Sequence, residues 1–384
     1  MTETEQNHRE LKEGARFSVT IEDLAFGGDG VARIDEMVVF VPFTIPGERV
    51  EIELTKVKTA FARGRIVNVE EPSANRVEPA CGHFADCGGC QYQHIDYPAQ
   101  LNLKRKQITD IFQRIGGFVE PPIDSVVPCP QPLGYRNRIM VRSQREKQTG
   151  LMKLGFLSAE SKRVVDLERC AIAEDEVNRQ LAEARRSMPP KGGLKTVLRK
   201  MPADWEVGRD SFFQNNFFLL PKLVESVREC LKEANTRHLI DAYCGVGFFS
   251  IECADLVETF VGVELDAQAI KSARQNMASR EIKNGQYAKG FAEDYLPGLL
   301  MRHPGEQTAL IIDPPRTGCP PRSMERIRRA KPQQVIYVSC HPATLARDLK
   351  ILCADGVYDL KRVVPHDMFP QTQHVECVAD LRVR

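Results

Sequence analysis

The chain has 384 residues, of which 42% are hydrophobic and 27% charged, and a net charge of +1, a balance that describes an ordinary soluble protein and argues against one coated in positive charge. The length exceeds what one hydrophobic core usually serves, so two or three domains are expected. No apolar run approaches the roughly 20 residues of a membrane span, and the polar opening "MTETEQNHRE" has neither the basic nor the apolar part of a signal peptide, so a cytoplasmic protein without a membrane partner is expected.

Residues 14 to 70 alternate apolar and polar positions in short runs such as "RFSVTIEDL", "MVVFVPF" and "RVEIELTKV", broken by "FGGDG" and "IPGE". Strands of that length between Gly and Pro turns predict a five-stranded barrel of the OB type over residues 10–71, a module whose concave face commonly binds oligonucleotides. The polar segment "EEPSANRVEP", with two prolines, reads as a linker. A central α+β domain over 72–207 follows. It holds a basic stretch, with 12 Lys and Arg against 5 Asp and Glu between Tyr97 and Val164. "LKRK" at 103–106 and "YRNRIMVRSQREK" at 135–147 could hold phosphates there, or could be solvated faces of a helix and a strand.

Within the central domain, "CGHFADCGGCQYQH" spaces Cys81, Cys87 and Cys90 as C-x5-C-x2-C on a glycine-rich loop. A loop has little core for three thiols to fill, and twelve unevenly spaced cysteines make no disulfide framework, so a metal site is expected. Spacing alone leaves zinc, completed by His83 or His94, and iron–sulfur as comparable readings. Cys170, in "DLERCAI", is the candidate fourth thiolate.

From about residue 208 the pattern changes. "RHLIDAYCGVGFFSI", "TFVGVELD", "TALIIDPPR" and "QQVIYVSC" are apolar runs ending in small or polar residues, with amphipathic segments between them. This predicts a Rossmann-like α/β domain over 208–384, a mainly parallel, doubly wound sheet whose ligands lie at the carboxyl ends of its strands. Gly245 and Gly247 permit a close backbone approach to a nucleotide, and Glu264, about twenty residues on, could accept hydrogen bonds from ribose hydroxyls. Ser250 replaces the third glycine of the dinucleotide fingerprint, which favours a nucleoside cofactor without a pyrophosphate, such as S-adenosylmethionine, over NAD. Asp313 is held on a stiff "DPPR" turn and reads as a ligand contact.

"DAYCGVG", "DPPRTG", "VSCHPATLARDL" and "DMFPQTQHVECV", in this order and spacing, resemble the family of S-adenosylmethionine-dependent RNA uracil-5-methyltransferases, and the N-terminal barrel is similar to the TRAM domain that many of them carry. The resemblance implies that Gln214, Tyr243, Glu264 and Asp313 contact the cofactor and that Phe212 helps line a uracil pocket. It also matches Cys81, Cys87, Cys90 and Cys170 to a [4Fe-4S] cluster, which raises iron–sulfur above zinc. The closer likeness is to the ribosomal branch, implying 23S ribosomal RNA as partner, with transfer RNA, a cytosine acceptor, or an inactive RNA-binding iron–sulfur protein as alternatives. A monomer is expected. Phe248 and Phe291 depart from the family pattern near the cofactor, so adenine recognition is expected to be more apolar.

Carbon 5 of uracil is too weak a nucleophile to attack a methyl sulfonium unaided. A thiolate added to carbon 6 turns the ring into an enolate with charge at carbon 5. Cys340, at the end of an apolar strand, is the expected nucleophile, and Glu376, in "QHVECV", matches the base that removes the carbon-5 proton. Such a cysteine needs help to ionise. His341, Arg347 and Arg316 are the candidates by sequence proximity, and His374 is expected either to shape the pocket or to be structural.

Overall fold

The computed structural model describes residues 11–188, 191–303 and 305–384. The chain forms two compact units. The first takes the chain up to Leu103, together with Arg142–Leu167 and Gln371–Gln373, and the second takes the rest. These units divide the chain differently from the boundaries expected at residues 71 and 207. The barrel and the cysteine loop share one unit, and three residues near the far end of the sequence return to it.

In the first unit, β1 (Arg16–Thr20), β2 (Asp23–Leu24), β3 (Asp29–Ile34), β4 (Met37–Pro42), β5 (Arg49–Val57) and β6 (Ala62–Glu71) form one sheet in the order β1-β5-β6-β4-β3-β2. There are thus six strands where five are expected, because Asp23–Leu24 adds a two-residue pairing with β3 that is too short to leave a period in the sequence. Alternation sets the inner face: Val50, Ile52 and Leu54 of β5 are buried together with Val39 and Val41 of β4, while their neighbours face outward. The supposed linker is tied down. Arg76 binds the wholly buried Glu48 carboxylate at 2.5 and 2.7 Å, and the amide of Ile45 donates to the same group. Burial alone would raise the pKa of Glu48, but these hydrogen bonds and the Arg76 charge hold it below its ordinary value. Also in this unit, β7 (Arg138–Arg145) pairs antiparallel with β8 (Met152–Leu157) from Arg142 onward, and β8 pairs with β9 (Val164–Asp166).

The second unit contains α2 (Asp175–Arg186) and β10 (Lys195–Arg199), and takes in α1 (Tyr97–Ile111) from Lys104 onward. Its main part is a layered α/β domain of α3 (Leu220–Ala234), β11 (His238–Ala242), α4 (Phe248–Glu252), β12 (Thr259–Glu264), α5 (Ala267–Ser279), β13 (Gly285–Lys289), α6 (Ala292–Arg302), β14 (Thr308–Ile312), α7 (Pro321–Ala330), β15 (Gln334–Ser339), α8 (Pro342–Leu352), β16 (Tyr358–His366) and β17 (Glu376–Val383). The sheet order is β13-β12-β11-β14-β15-β17-β16. The first five strands are parallel, as expected, and every residue of β14 and β15 is buried, as strands covered on both faces require. The last strand in sequence, β17, runs antiparallel between β15 and β16.

Part of the basic segment is turned inward. Lys104 is 1% exposed and reaches Asp367 Oδ1 at 2.5 Å and the carbonyls of Phe369 and His374 at 3.2 and 3.0 Å. Arg105 donates to the carbonyls of Ile123 and Asp124, and Lys106 pairs with Asp110. "LKRK" therefore serves the fold instead of meeting phosphates. Among the described residues no helix is long and apolar enough to cross a membrane.

Candidate active site

Strand order fixes where the chemistry gathers. Between β11 and β14 the sheet changes its direction of growth, and in parallel sheets the crevice beyond the carboxyl ends at such a point holds the ligand. After β11 the chain turns through Tyr243 (φ +64°), Gly245 (φ +55°) and Gly247 (φ +84°). At Gly247 a side chain would lie 2.3 Å from the Tyr287 hydroxyl, whereas beside Gly245 there is open space and only the left-handed backbone asks for glycine. The amide of Gly245 donates to Glu264 Oε2 at 3.1 Å, and the amide of Asp266 donates to Oε1 at 2.8 Å. Each oxygen keeps a lone pair for a further donor. Beneath the turn, Asp241 is fully buried. Its Oδ2 accepts the amide of Ser250, its Oδ1 has no partner, and burial raises its pKa to about 7.

Asp313 follows β14 and lies at the same edge, its amide facing the carbonyl of Ala242 at 3.4 Å. Burial, then the charges of Asp241 and Glu264, push its pKa to about 7. Tyr243 donates its hydroxyl to Glu293 and lies 3.8 Å from the Cys319 thiol, so its ring is anchored by α6 and the loop after β14. The Gln214 side chain is buried, while Phe212 is 62% exposed, an aromatic face that the protein itself does not cover. Phe248 is buried among Trp205, Phe213 and Phe249, whereas Phe291 is exposed.

The antiparallel β17 explains how two residues 36 positions apart in sequence meet. Ser339, at the end of β15, is paired with Cys377, and His366 of β16 is paired with Glu376. The ladder of β15 with β17 ends at the Ser339–Cys377 pair, so Cys340 and Glu376 are the next residues on the two chains, and the charge of Glu376 acts on the Cys340 thiol. Burial raises the Glu376 carboxyl well above its ordinary value; Asp313 adds to this and Arg316 opposes it. The Cys340 thiol is pushed up to about 12 by burial, then by Glu376 and Asp313, against the charge and hydrogen bond of Arg316.

Of the three groups considered as activators of the cysteine, Arg316 is the one placed to act. His341 accepts the amide of Thr344 on its Nδ1 and so caps α8. Arg347 is bound to Asp348 at 2.7 Å. His374, brought by burial and the charge of Arg316 to a pKa of about 4, is a neutral ring whose Nε2 accepts from Arg316 at 3.4 Å. Sequence reading missed the buried Lys104–Asp367 pair beneath the 367–374 segment and the orphaned oxygen of Asp241, because neither leaves a motif.

Cys81, Cys87 and Cys90 lie half-buried on one loop of the first unit. That loop is fixed by hydrogen bonds from the Cys81 amide to Gln93, from the Cys87 amide to the His83 carbonyl and from the Gly88 amide to Leu157. Cys170 is buried in the second unit, its amide bound to Asn178. None of the twelve cysteines is in a disulfide. Among the described residues no three His, Cys, Asp or Glu side chains are gathered as a metal site. His94 is 1% exposed, with Nε2 facing the Thr44 carbonyl, Nδ1 without a hydrogen-bond partner and its ring against Phe84 and Phe43.

A model of the tRNA (uracil-5-)-methyltransferase family matches residues 197–383, and a TRAM-domain model matches residues 10–67. An uncharacterised RNA methyltransferase of Synechocystis is 31% identical, over 97% of this chain and 96% of its own length. The chain belongs to the tRNA (uracil-5-)-methyltransferase family. A relative from Halalkalibacterium halodurans, also described as an RNA methyltransferase, is 31% identical over 95% of this chain and 96% of its own. Among solved structures, the Pyrococcus abyssi tRNA (uracil-54, C5)-methyltransferase in complex with S-adenosyl-L-homocysteine aligns over 95% of this chain and 100% of that one, with a TM-score of 0.68 and 26% identity. The protein is thus an RNA methyltransferase that uses S-adenosylmethionine, with an RNA-binding TRAM domain in front of a Rossmann-like catalytic domain. The open space beside Gly245 and the spare acceptors of Glu264 fit that donor.

Proposed function

We propose that the enzyme methylates carbon 5 of a uridine in 23S ribosomal RNA through a covalent protein–RNA intermediate. The observation that supports this reading is that Cys340 directly follows and Glu376 directly precedes the last β15–β17 pair, Ser339 with Cys377, and that the charges of Glu376 and Asp313 act on the Cys340 thiol. The flipped uracil would stack on exposed Phe212, and Glu264, Asp313, Gln214 and Tyr243 would hold the methyl donor. S-adenosylmethionine would supply the electrophilic methyl group, its S–CH3 bond breaking with the electron pair kept on sulfur so that S-adenosylhomocysteine leaves. The thiolate of Cys340 adds to carbon 6, with Arg316 stabilising the sulfur anion before addition, and the electron pair of the ring double bond moves to carbon 5, which takes the methyl group. The Glu376 carboxylate then removes the carbon-5 proton, the C5–H electrons restore the double bond, and the C6–S bond breaks to return the thiolate. Burial makes that carboxylate a stronger base than a free glutamate.

The ribosomal assignment rests on the barrel joined to the four-cysteine pattern. Transfer RNA is the second reading, favoured by the likeness to the Pyrococcus abyssi enzyme, whose substrate is uridine 54 of tRNA. We assign Cys81, Cys87, Cys90 and Cys170 to a structural [4Fe-4S] cluster on the chemistry of the donor set, four thiols with no disulfide. Protein purified without oxygen should then carry about four iron and about four sulfide per chain. Zinc alone would refute the cluster. The reading takes the protein as a cytoplasmic monomer.

The test is mass mapping of 5-methyluridine in ribosomal and transfer RNA from a strain lacking the gene, with nucleoside identification after transfer of labelled methyl in vitro. Loss of the ribosomal mark supports the first reading, and loss of a transfer-RNA mark supports the second. A labelled cytosine product would overturn both. Cys340→Ala should bind RNA and cofactor yet transfer no methyl, and turnover by that variant would remove Cys340 as the nucleophile.

A further inference from the structure

The "TLARDL" half of the "VSCHPATLARDL" motif has no place in the chemistry above, yet α8 grips the loop after β14 residue by residue. Thr344 donates its hydroxyl to the Arg316 carbonyl at 3.2 Å. Arg347 Nη2 donates to the carbonyls of Thr317 and Cys319 at 3.1 and 3.3 Å. The amide of Cys319 donates to Asp348 Oδ2 at 2.9 Å. Thr344, Arg347 and Asp348 stand three and four residues apart, the spacing that puts side chains on one helix face. Between them the loop passes so close that a Cβ on Gly318, at φ +72°, would lie 2.5 Å from Asp348 Oδ2 and 2.6 Å from Arg347 Nη2. Asp348 is wholly buried and its carboxylate is fully used, Oδ2 also accepting the Tyr337 hydroxyl of β15 at 2.7 Å and Oδ1 accepting Arg347 Nε at 2.8 Å.

The helix that begins just after Cys340 therefore holds the loop that carries Asp313 and Arg316. We propose that Asp348, with Thr344 and Arg347 on the same face of α8, is a positioning residue that fixes Arg316 against the Cys340 thiol. It rests on the reading of Cys340 as nucleophile and adds how the sulfur is readied. The groups facing that sulfur are Glu376 and the Cys377 thiol on β17, and Asp313 and Arg316 on the loop; His374 meets Arg316 from the segment before β17. Arg316 is the cation among them, so a small displacement of its loop removes the one group that favours the anion.

The experiment is peptide-resolved alkylation of Cys340 by iodoacetamide in the full-length, ligand-free protein at about pH 8.5, where the rate follows the thiolate fraction. A charged hydrogen bond is worth about one to two units of thiol pKa, so Arg316→Gln should slow Cys340 alkylation about tenfold or more. Asp348→Asn should slow it comparably, and the double variant should be no slower than either single one, since both remove one interaction. The kcat of Asp348→Asn should fall with it. Should Asp348→Asn fail to fold, Thr344→Val removes a tie at the loop's surface and should slow alkylation in the same direction. Normal Cys340 alkylation in a folded Asp348→Asn or Thr344→Val protein overturns the proposal, as does an Arg316→Gln protein whose cysteine reacts like wild type. Because alkylation needs no RNA, its failure is distinct from failure of the nucleophile assignment, which is read by methyl transfer in Cys340→Ala.

Discussion

Glu376 is buried and Asp313 half-buried, and the loss of water around both makes them easier to protonate. Asp313 titrates near 3.8 in an unfolded chain and at about 7 in the fold. Between those values the native state holds a proton that the unfolded chain has released, so this group's contribution to stability is lost as pH rises through that window. Asp313→Asn removes the effect. Thermal melts of ligand-free protein at about pH 5 and about pH 8 should show wild type losing ground to the variant at the higher pH, and a difference that stays flat would mean the carboxyl is not protonated in the fold. Activity should be lost in the same variant, the usual exchange of stability for function at a site. Glu376→Gln should let the methyl group transfer and then stall, leaving a protein–RNA adduct on denaturing gels; free methylated RNA at the normal rate would count against the base. The sequence made the cysteine, Asp313 and the glycine turn legible because each stands at the end of an apolar run, whereas Glu376, at the start of β17, was legible only through the family motif. Arg316 could not be separated from His341 and Arg347, since choosing among three neighbours in sequence takes a side-chain direction.

At the scale of elements, the segment that carries the chain from β16 to β17 hangs from α1. Lys104 is the peg, gripping the Asp367 carboxylate and two carbonyls of that segment from inside the protein. Burial lowers its pKa and Asp367 opposes this, so attraction offsets part of the cost of burying the charge. Lys104→Leu strands the carboxylate and should cost about 3–5 kcal/mol in urea unfolding, whereas Lys104→Leu combined with Asp367→Leu should recover most of that loss. Additive losses in the pair would show that the two do not interact. Counting charge left "LKRK" open between phosphate contacts and a solvated face, because a basic run gives no sign of which side chains turn inward. The strands of the catalytic domain were legible from their apolar runs, but the antiparallel insertion of β17 was not, since strand pairing across the sheet is non-local.

At the scale of the whole molecule, periodicity found the barrel and the parallel sheet, whereas the two compact units gather residues by contacts that no local pattern carries. Residues 142–167 and 371–373 join the first unit from far along the sequence, and Glu48 of the barrel holds Arg76 of the supposed linker. A chain begun at residue 72 should therefore melt lower than the loss of a free-standing module would explain, as Arg76 loses its buried partner, and should bind RNA more weakly. Unchanged melting would restore the linker. Protein synthesis meets the same topology from the other direction: β15 and β16 emerge first and leave a gap that only β17 fills. A nascent chain stopped before that strand presents two bare hydrogen-bonding edges and an unguarded sulfhydryl, which makes a prematurely terminated product prone to aggregate and unable to act as a slow enzyme.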